Sequence, residues 1–343
     1  MNPIDRPARA PRGGRPRHGR LRLGRLRLGR LRRSLLAALL AASLAAPVMG
    51  AARPAAVPAP DPGRLPPLTD ASPATLARRY AATHDAVRAA QRMAAGHGDR
   101  RRASMLAGMA DPARRFLSFD GRDGGRAVEV FGDLADAGTI AVVVPGADTN
   151  LDKYGLLRGG SMRLHAAIGG RSAVVAWLGY RTPSTLSLQS LTADLADAGV
   201  PALRAFVREL AAIKPGARVS LVCHSYGSVV CGRAASGLDV ADLVLYGSAG
   251  VTAETAAGLR TRATVWAGVG AGDWISEVPN VRWRLPFATV GLGADPVSPG
   301  FGARVFPAGN GGHSDYLRAG SVALENIARI VSGGNPLPAG ADG

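Results

Sequence analysis

At 343 residues, with 47% hydrophobic and 20% charged side chains, the chain is long enough for one large globular domain with appendages. Its net charge of +17 is not a nucleic-acid signature: residues 1–52 hold twelve Arg and one Asp, so +11 of the excess sits in the leader. Two cysteines exclude both a disulfide-rich scaffold and a zinc cluster.

Residues 1–52 read as an Arg-rich leader and signal peptide. The basic stretch runs to Arg33, an Ala/Leu-rich apolar segment spans Ser34 to Val48, and Gly50-Ala51-Ala52 supplies small residues for cleavage. The apolar run is shorter than the ~20 residues of a membrane span. Arg32-Arg33-Ser34-Leu35-Leu36 resembles a twin-arginine export motif. These features predict a protein secreted or held in the cell envelope after signal cleavage. The alternative is a cytosolic basic arm. Lys153 and Lys214 are the only lysines, an arginine bias of the kind that GC-rich coding produces.

Residues 53–70 form a Pro/Ala-rich linker. Residues 71–115 are an N-terminal helical segment: Ser72 is the expected N-cap with Pro73 at the first helical position, and Leu76, Tyr80, Val87 and Ala90 line one face. Residues 116–333 carry the main domain. Two strands, 116–119 and 127–131, open it. Strand–helix alternation follows, with strands at 140–144, 173–177, 219–222, 243–246, 264–267 and 304–306 and helices notably at 153–168 and 199–213. Continuous apolar strands of this kind are buried on both faces of a mostly parallel sheet with helices on each side. Residues 334–343 are a loose Gly/Pro-rich tail.

The chemistry concentrates at Cys223-His224-Ser225-Tyr226-Gly227, between the apolar strand 219–222 and a helical stretch. Strand, sharp turn bearing Ser, then helix is the layout of a nucleophile elbow. The usual pattern is G-x-S-x-G, and Cys223 stands where the first Gly is expected. Ser225 is therefore the candidate nucleophile. It needs an imidazole base, and the base needs a carboxylate to fix its tautomer. His18 lies in the leader, His84 and His97 in the helical segment, His165 on a helix. His224 adjoins the nucleophile, and adjacent elbow side chains diverge. That leaves His313, just past the last strand. The acid belongs on a loop after a strand between the two. Asp273 follows the strand 264–267 and is favoured; Asp295 and Glu277 are the alternatives. Asp295 precedes Pro296 and reads as a turn residue. Asp315 is too near His313 and reads as a helix N-terminal residue. The oxyanion donors are expected to be the backbone N–H groups of Tyr226 and Ala147, because Pro145 has no N–H to give. Asp148, beside them, reads as a turn or cap residue pointing away. The four tryptophans, Trp177, Trp266, Trp274 and Trp283, read as core or pocket wall.

Val144-Pro145-Gly146-Ala147-Asp148-Thr149-Asn150, His224-Ser225-Tyr226-Gly227-Ser228, Gly272-Asp273-Trp274-Ile275, Asp295-Pro296, Phe301-Gly302-Ala303-Arg304 and Gly312-His313-Ser314-Asp315-Tyr316 resemble the actinobacterial α/β-hydrolases catalogued as a domain of unknown function. The resemblance covers roughly residues 116–333. It implies the α/β-hydrolase fold and a serine hydrolase, and it supplies no substrate.

The expected function is hydrolysis of an ester or related acyl bond by Ser225, His313 and Asp273, with no cofactor and no metal. The expected partner is a small-molecule or lipid-like acyl substrate, with no nucleic acid and no stable membrane span. An amidase or peptidase using the same residues, or a silent hydrolase-fold binding protein of the envelope, remains the alternative. The link 247–263 is short, with room for about one helix and none for a lid domain. The helical region 71–110 and the loop 181–194 are the candidate covers. Cys223 and Cys231 are expected ~10 Å apart, too far for a disulfide, as buried packing residues.

Overall fold

The computed structural model describes residues 57–338, apart from 279–282 and 285–288. The leader, its apolar segment and the expected cleavage stretch lie outside the described residues, as do 53–56, Phe287 and 339–343.

Strands β1 (Arg115–Asp120), β2 (Arg126–Gly132), β3 (Thr139–Val144), β4 (Ser172–Leu178), β5 (Arg218–His224), β6 (Asp242–Tyr246) and β7 (Thr264–Gly268) are followed by a short hairpin, β8 (Trp283–Arg284) with β9 (Thr289–Val290), and by β10 (Arg304–Val305). Eight of them form one sheet in the order β1-β2-β4-β3-β5-β6-β7-β10. β1 and β2 pair antiparallel, β2 pairs antiparallel with β4, and the rest run parallel. This strand order, with helices on both faces, is the α/β-hydrolase fold.

Alternation along the central strands feeds two apolar layers. Ile140, Val142 and Val144 of β3 face one layer, and Ala141 and Val143 the other. On β5, Val219, Leu221 and Cys223 join the first layer while Val222 joins the second. The first layer is closed by helices of 194–213 and 227–234; the second by helices of 155–168 and 322–331.

Helix α1 (Pro73–Gly96) starts as expected, with the Ser72 side chain accepting from the Thr75 N–H and Pro73 in the first turn. Leu76, Val87 and Ala90 are buried. After α2 (Arg100–Met109), the chain enters β1. α1 lies along β1, the edge strand: Arg79 donates to the Leu117 carbonyl at 3.2 Å, and the His84 ring bonds the Arg114 carbonyl at 2.7 Å. These helices thus blunt an exposed sheet edge. They do not cover the predicted site, which lies four strands away along the sheet.

Helices α3 (Gly155–Ile168), α4 (Asp194–Ile213), α5 (Gly227–Ala234) and α6 (Val322–Val331) complete the domain. α4 begins five residues ahead of the expected start and carries Pro201 inside it. Asp194 and Asp197 in its first turn complement the positive helix end. The 247–263 link holds only a 3₁₀ turn, Ala257–Leu259, rather than the helix expected there.

The cysteine expectation is overturned. Cys223 and Cys231 form a disulfide, with Cα atoms 6.5 Å apart. Helical rise along the chain alone would set them ~10 Å apart. At Ser225 the backbone turns through φ 51° and α5 returns against β5, so Cys231, one turn into α5, comes back beside Cys223.

Candidate active site

The C-terminal ends of β5, β7 and β10 lie on one edge of the sheet. β5 ends at His224, and Ser225 follows in the left-handed region, its N–H bonded to the Tyr246 carbonyl at 3.1 Å. A non-glycine residue held there is costly, on the order of 1–2 kcal/mol. The neighbouring loop approaches too closely to leave room for side chains. A Cβ on Gly146 would lie 2.6 Å from the Ser225 Cβ, and one on Gly227 would lie 2.6 Å from the Pro145 and Val144 carbonyl oxygens. Glycine is therefore required at 227, after the turn, and at 146 on the loop that faces it.

The loop after β7 presents Asp273, and the loop after β10 presents His313. Ala271 N–H donates to the Gly309 carbonyl at 2.9 Å and holds the two loops together. The structure brings the three expected side chains into one line. His313 Nε2 is 2.9 Å from Ser225 Oγ, and His313 Nδ1 is 2.9 and 3.0 Å from the two Asp273 oxygens. Asp273 is 2% exposed and Ser225 7%.

The carboxylate decides the tautomer. Burial alone would raise the pKa of Asp273. Hydrogen bonds from His313, from Tyr316 and from the Ile275 N–H outweigh it and hold the carboxyl below its ordinary range. An ionised carboxylate only accepts, so His313 Nδ1 carries the proton and Nε2 is left to accept from the Ser225 hydroxyl.

The other acids stand elsewhere. Asp295 forms the expected turn, its side chain accepting from the Val297 N–H at 3.0 Å. Glu277 ends the 3₁₀ turn that Asp273 caps. Asp315 is not at a helix N-terminus, since α6 starts at Val322 with Ser321 as its cap. Its carboxylate accepts from the Gly312 N–H at 3.0 Å and tightens the loop that carries His313.

Gly146, next to Ala147, lies against Ser225, next to Tyr226, and among the described residues the backbone N–H of neither Tyr226 nor Ala147 has an acceptor. Asp148 points away from them, as expected: its side chain accepts from the Thr185 N–H at 3.1 Å, and its own N–H donates to the Pro183 carbonyl at 2.8 Å. Burial would raise the pKa of this carboxyl, but the Thr185 hydrogen bond keeps it below the ordinary value. The loop 181–194 therefore lies against this side of the elbow. The Tyr226 hydroxyl fixes it further by donating to the Thr192 carbonyl at 2.7 Å.

Three residues near the line are given no part in the chemistry by the sequence. The Tyr316 hydroxyl donates to Asp273 at 2.5 Å and accepts from the Gly270 N–H at 3.0 Å. The Trp274 ring, 47% exposed, lies 4.8 Å from the His313 ring, whereas Trp177 and Trp266 are core. His224, set aside as a base, donates from Nε2 to the His313 carbonyl at 2.8 Å, its ring 4.7 Å from the His313 ring. Burial and then the proximity of His313 push its pKa down to about 4, so it stays neutral at neutral pH. Tyr316 was within reach of sequence reasoning, three residues after His313. The role of His224 depends on where the His313 loop folds back.

Among the described residues no cluster of metal-ligating side chains is present, and no helix is long and apolar enough to cross a membrane. A family profile described as alpha/beta hydrolase matches residues 120–283, a span that includes Ser225 and Asp273 and stops short of His313. No curated protein sequence matches this chain. Among solved structures it is similar to an α/β serine hydrolase without a lid from Xanthomonas campestris: 17% identity, 64% of this chain, 92% of that one, TM-score 0.41. It is also similar to carboxyl esterase 2 from Tuber melanosporum (12% identity, 64% and 87%, TM-score 0.42) and to esterase LipW from Mycobacterium marinum (15%, 77% and 90%, TM-score 0.39).

Proposed function

We propose that this α/β-hydrolase-fold protein is a serine hydrolase that cleaves an ester or related acyl bond through an acyl-enzyme. The supporting observation is the line from Ser225 Oγ through His313 to Asp273, with each hydrogen bond near 2.9 Å. Ser225 Oγ attacks the carbonyl carbon as its proton passes to His313 Nε2. Asp273 holds the imidazole in the required tautomer and stabilises the imidazolium. The backbone N–H groups of Tyr226 and Ala147 stabilise the oxyanion, and Tyr226 opens α5, whose N-terminal dipole adds to the effect. His313 then protonates the departing group. Water, activated by the same imidazole, hydrolyses the acyl-enzyme and frees Ser225. No step in this sequence calls for a metal or an organic cofactor.

Export follows as part of the same proposal. The Cys223–Cys231 disulfide supports it, because such bonds persist in oxidising compartments, and so does the basic leader ahead of an apolar segment. The arginine bias is in keeping with the resemblance to actinobacterial members.

The test is labelling with a fluorophosphonate probe, together with turnover of p-nitrophenyl esters of graded length. Wild type should react at Ser225, and Ser225→Ala should lose both labelling and turnover, by up to ~10⁶-fold in kcat, while melting as a folded protein. Labelling of Ser225 with hydrolysis of amides but not esters would move the reading to an amidase. A folded wild type that neither labels nor turns over would leave the binding-protein alternative.

A further inference from the structure

A small cavity of about 60 Å³ lies beside His313, on the side of the elbow facing α3. Leu156, Leu157, Leu317 and Tyr246 make its walls apolar, and His313 and Arg163 are among its polar residues. His224 also lines it, because β5 alternation turns residue 224 towards the α3 layer and Cys223 away from it. A cavity needs about 10–15 Å³ by this measure to hold one water, so it takes a group of roughly four or five heavy atoms.

Arg163 is the unusual member of this lining. It projects from α3 and is half-buried. Its Nε donates to the Leu317 carbonyl, which fixes the guanidinium at the cavity. A Cβ on Gly159 would lie 3.3 Å from Nη1, so the guanidinium rests over that glycine. Among the described residues no carboxylate pairs with it, although the half-buried Arg114 has Glu129 and the buried Arg102 has Asp152. Among the described residues its two Nη groups have no acceptor and can donate to a ligand.

We propose that Arg163 is an anion-recognition residue for the substrate. The preferred substrate is then a short ester carrying a carboxylate, or another compact anion, a few atoms from the scissile carbonyl. This rests on the serine hydrolase reading and names the substrate class of the same site. An arginine fork suits a planar carboxylate because it donates two parallel hydrogen bonds. The four apolar walls then take the few carbons between anion and carbonyl. A neutral long-chain ester would leave the guanidinium facing an alkyl group.

Two substrate pairs test the proposal, because the anion sits at the acyl end in one and the alcohol end in the other. The first is mono-p-nitrophenyl glutarate against p-nitrophenyl valerate. The second is 3-acetoxypropanoate against n-butyl acetate. Wild type should favour the anionic member of one pair by about tenfold or more in kcat/KM, mainly through KM. Arg163→Gln should collapse that ratio, and Arg163→Lys should keep part of it. Thermal melts and fluorophosphonate labelling of Ser225 report whether each variant is folded. Absence of a preference in both wild-type pairs, or retention of it in folded Arg163→Gln, overturns the proposal while labelling leaves the hydrolase reading intact. If wild type neither labels nor turns over any ester, the hydrolase reading fails instead. Binding of glutarate by ligand-observed NMR then decides the anion site: binding lost in Arg163→Gln supports it, and no binding to wild type overturns it.

Discussion

The disulfide flanking the elbow makes a quantitative prediction. Cys223 and Cys231 are separated by eight residues in sequence, and both are fully buried. Closing a loop of that length in the unfolded chain removes entropy worth about 2.5 kcal/mol at room temperature in the chain-entropy account. For a domain of this size, that corresponds to a fall of roughly 5–10 °C in melting temperature when the bond is broken. The perturbation is reduction of the purified protein, with free thiols counted, alongside a Cys223→Ala/Cys231→Ala double variant. The assay is thermal unfolding with and without reductant. Wild type should melt lower once reduced, and the double variant should melt low under both conditions. Elbow geometry should suffer as well, since the bond spans Ser225, whose φ of 51° needs its surroundings to hold it. Fluorophosphonate labelling of the reduced protein should therefore slow, at a temperature where it is still folded. A fully reduced protein that melts and labels as the oxidised one does would refute the reasoning. So would a double variant that still responds to reductant.

Two further predictions concern the groups around the imidazole. Asp273→Asn should lower kcat by ~10⁴-fold with folding preserved, because the imidazole then takes the wrong tautomer, whereas Asp295→Asn should cost only local stability; ester kinetics on both variants, with melts as control, would exchange the roles if the losses fell the other way. His224 has a folded-state pKa of about 4, below the ordinary His value, so the neutral form is favoured by folding. Its contribution is present above pH ~6.5, is lost as pH falls through about 4, and amounts to at most about 3 kcal/mol. Denaturant melts across that window should show wild type losing more stability than His224→Gln or His224→Leu. His224→Gln, which keeps a donor for the His313 carbonyl, should also retain more kcat than His224→Leu. Equal acid sensitivity in all three proteins would remove His224 from this role.

Much of the fold was legible because its signals are local. The inner parallel strands β3, β4 and β6 are nearly continuous apolar runs, and Ser72-Pro73 announces a helix start through capping alone. Ser225, Asp273 and His313 were legible for a related reason. Ser225 directly follows β5, Asp273 and His313 sit on the loops after β7 and β10, and a parallel sheet delivers strand ends to one edge. What was not legible depends on how separate loops fold over that edge. The bond from His224 to the His313 carbonyl joins residues 89 apart, and the Tyr316–Asp273 contact depends on how the 306–321 loop curls around Asp315. The covering role given to residues 71–110 failed because helical periodicity says which face is buried and not what it is buried against. Arg79 and His84, both on α1, bond the backbone of β1 at Leu117 and of Arg114 just ahead of it, and make the difference.

Cys223 in place of the elbow's first glycine raises one more question, and strand alternation answers it. Its Cβ shares the side of Val219 and Leu221, the layer closed by α4 and α5. A side chain there meets the first turn of α5, where a bulky partner would push the helix off the strand and disturb Ser225 between them. The chain's solution is a covalent contact in place of a packing gap: Cys231 is the residue α5 presents at that point, and the two sulfurs bond. The two cysteines are therefore one feature. Either alone would leave a buried thiol facing a residue chosen for something else. Cys223→Gly, which restores the usual elbow pattern, should destabilise this protein rather than improve it, because it strands Cys231 and frees the loop. Thermal melts of Cys223→Gly beside Cys223→Gly/Cys231→Ala would measure this. A single variant as stable as wild type would mean that the glycine was never excluded here.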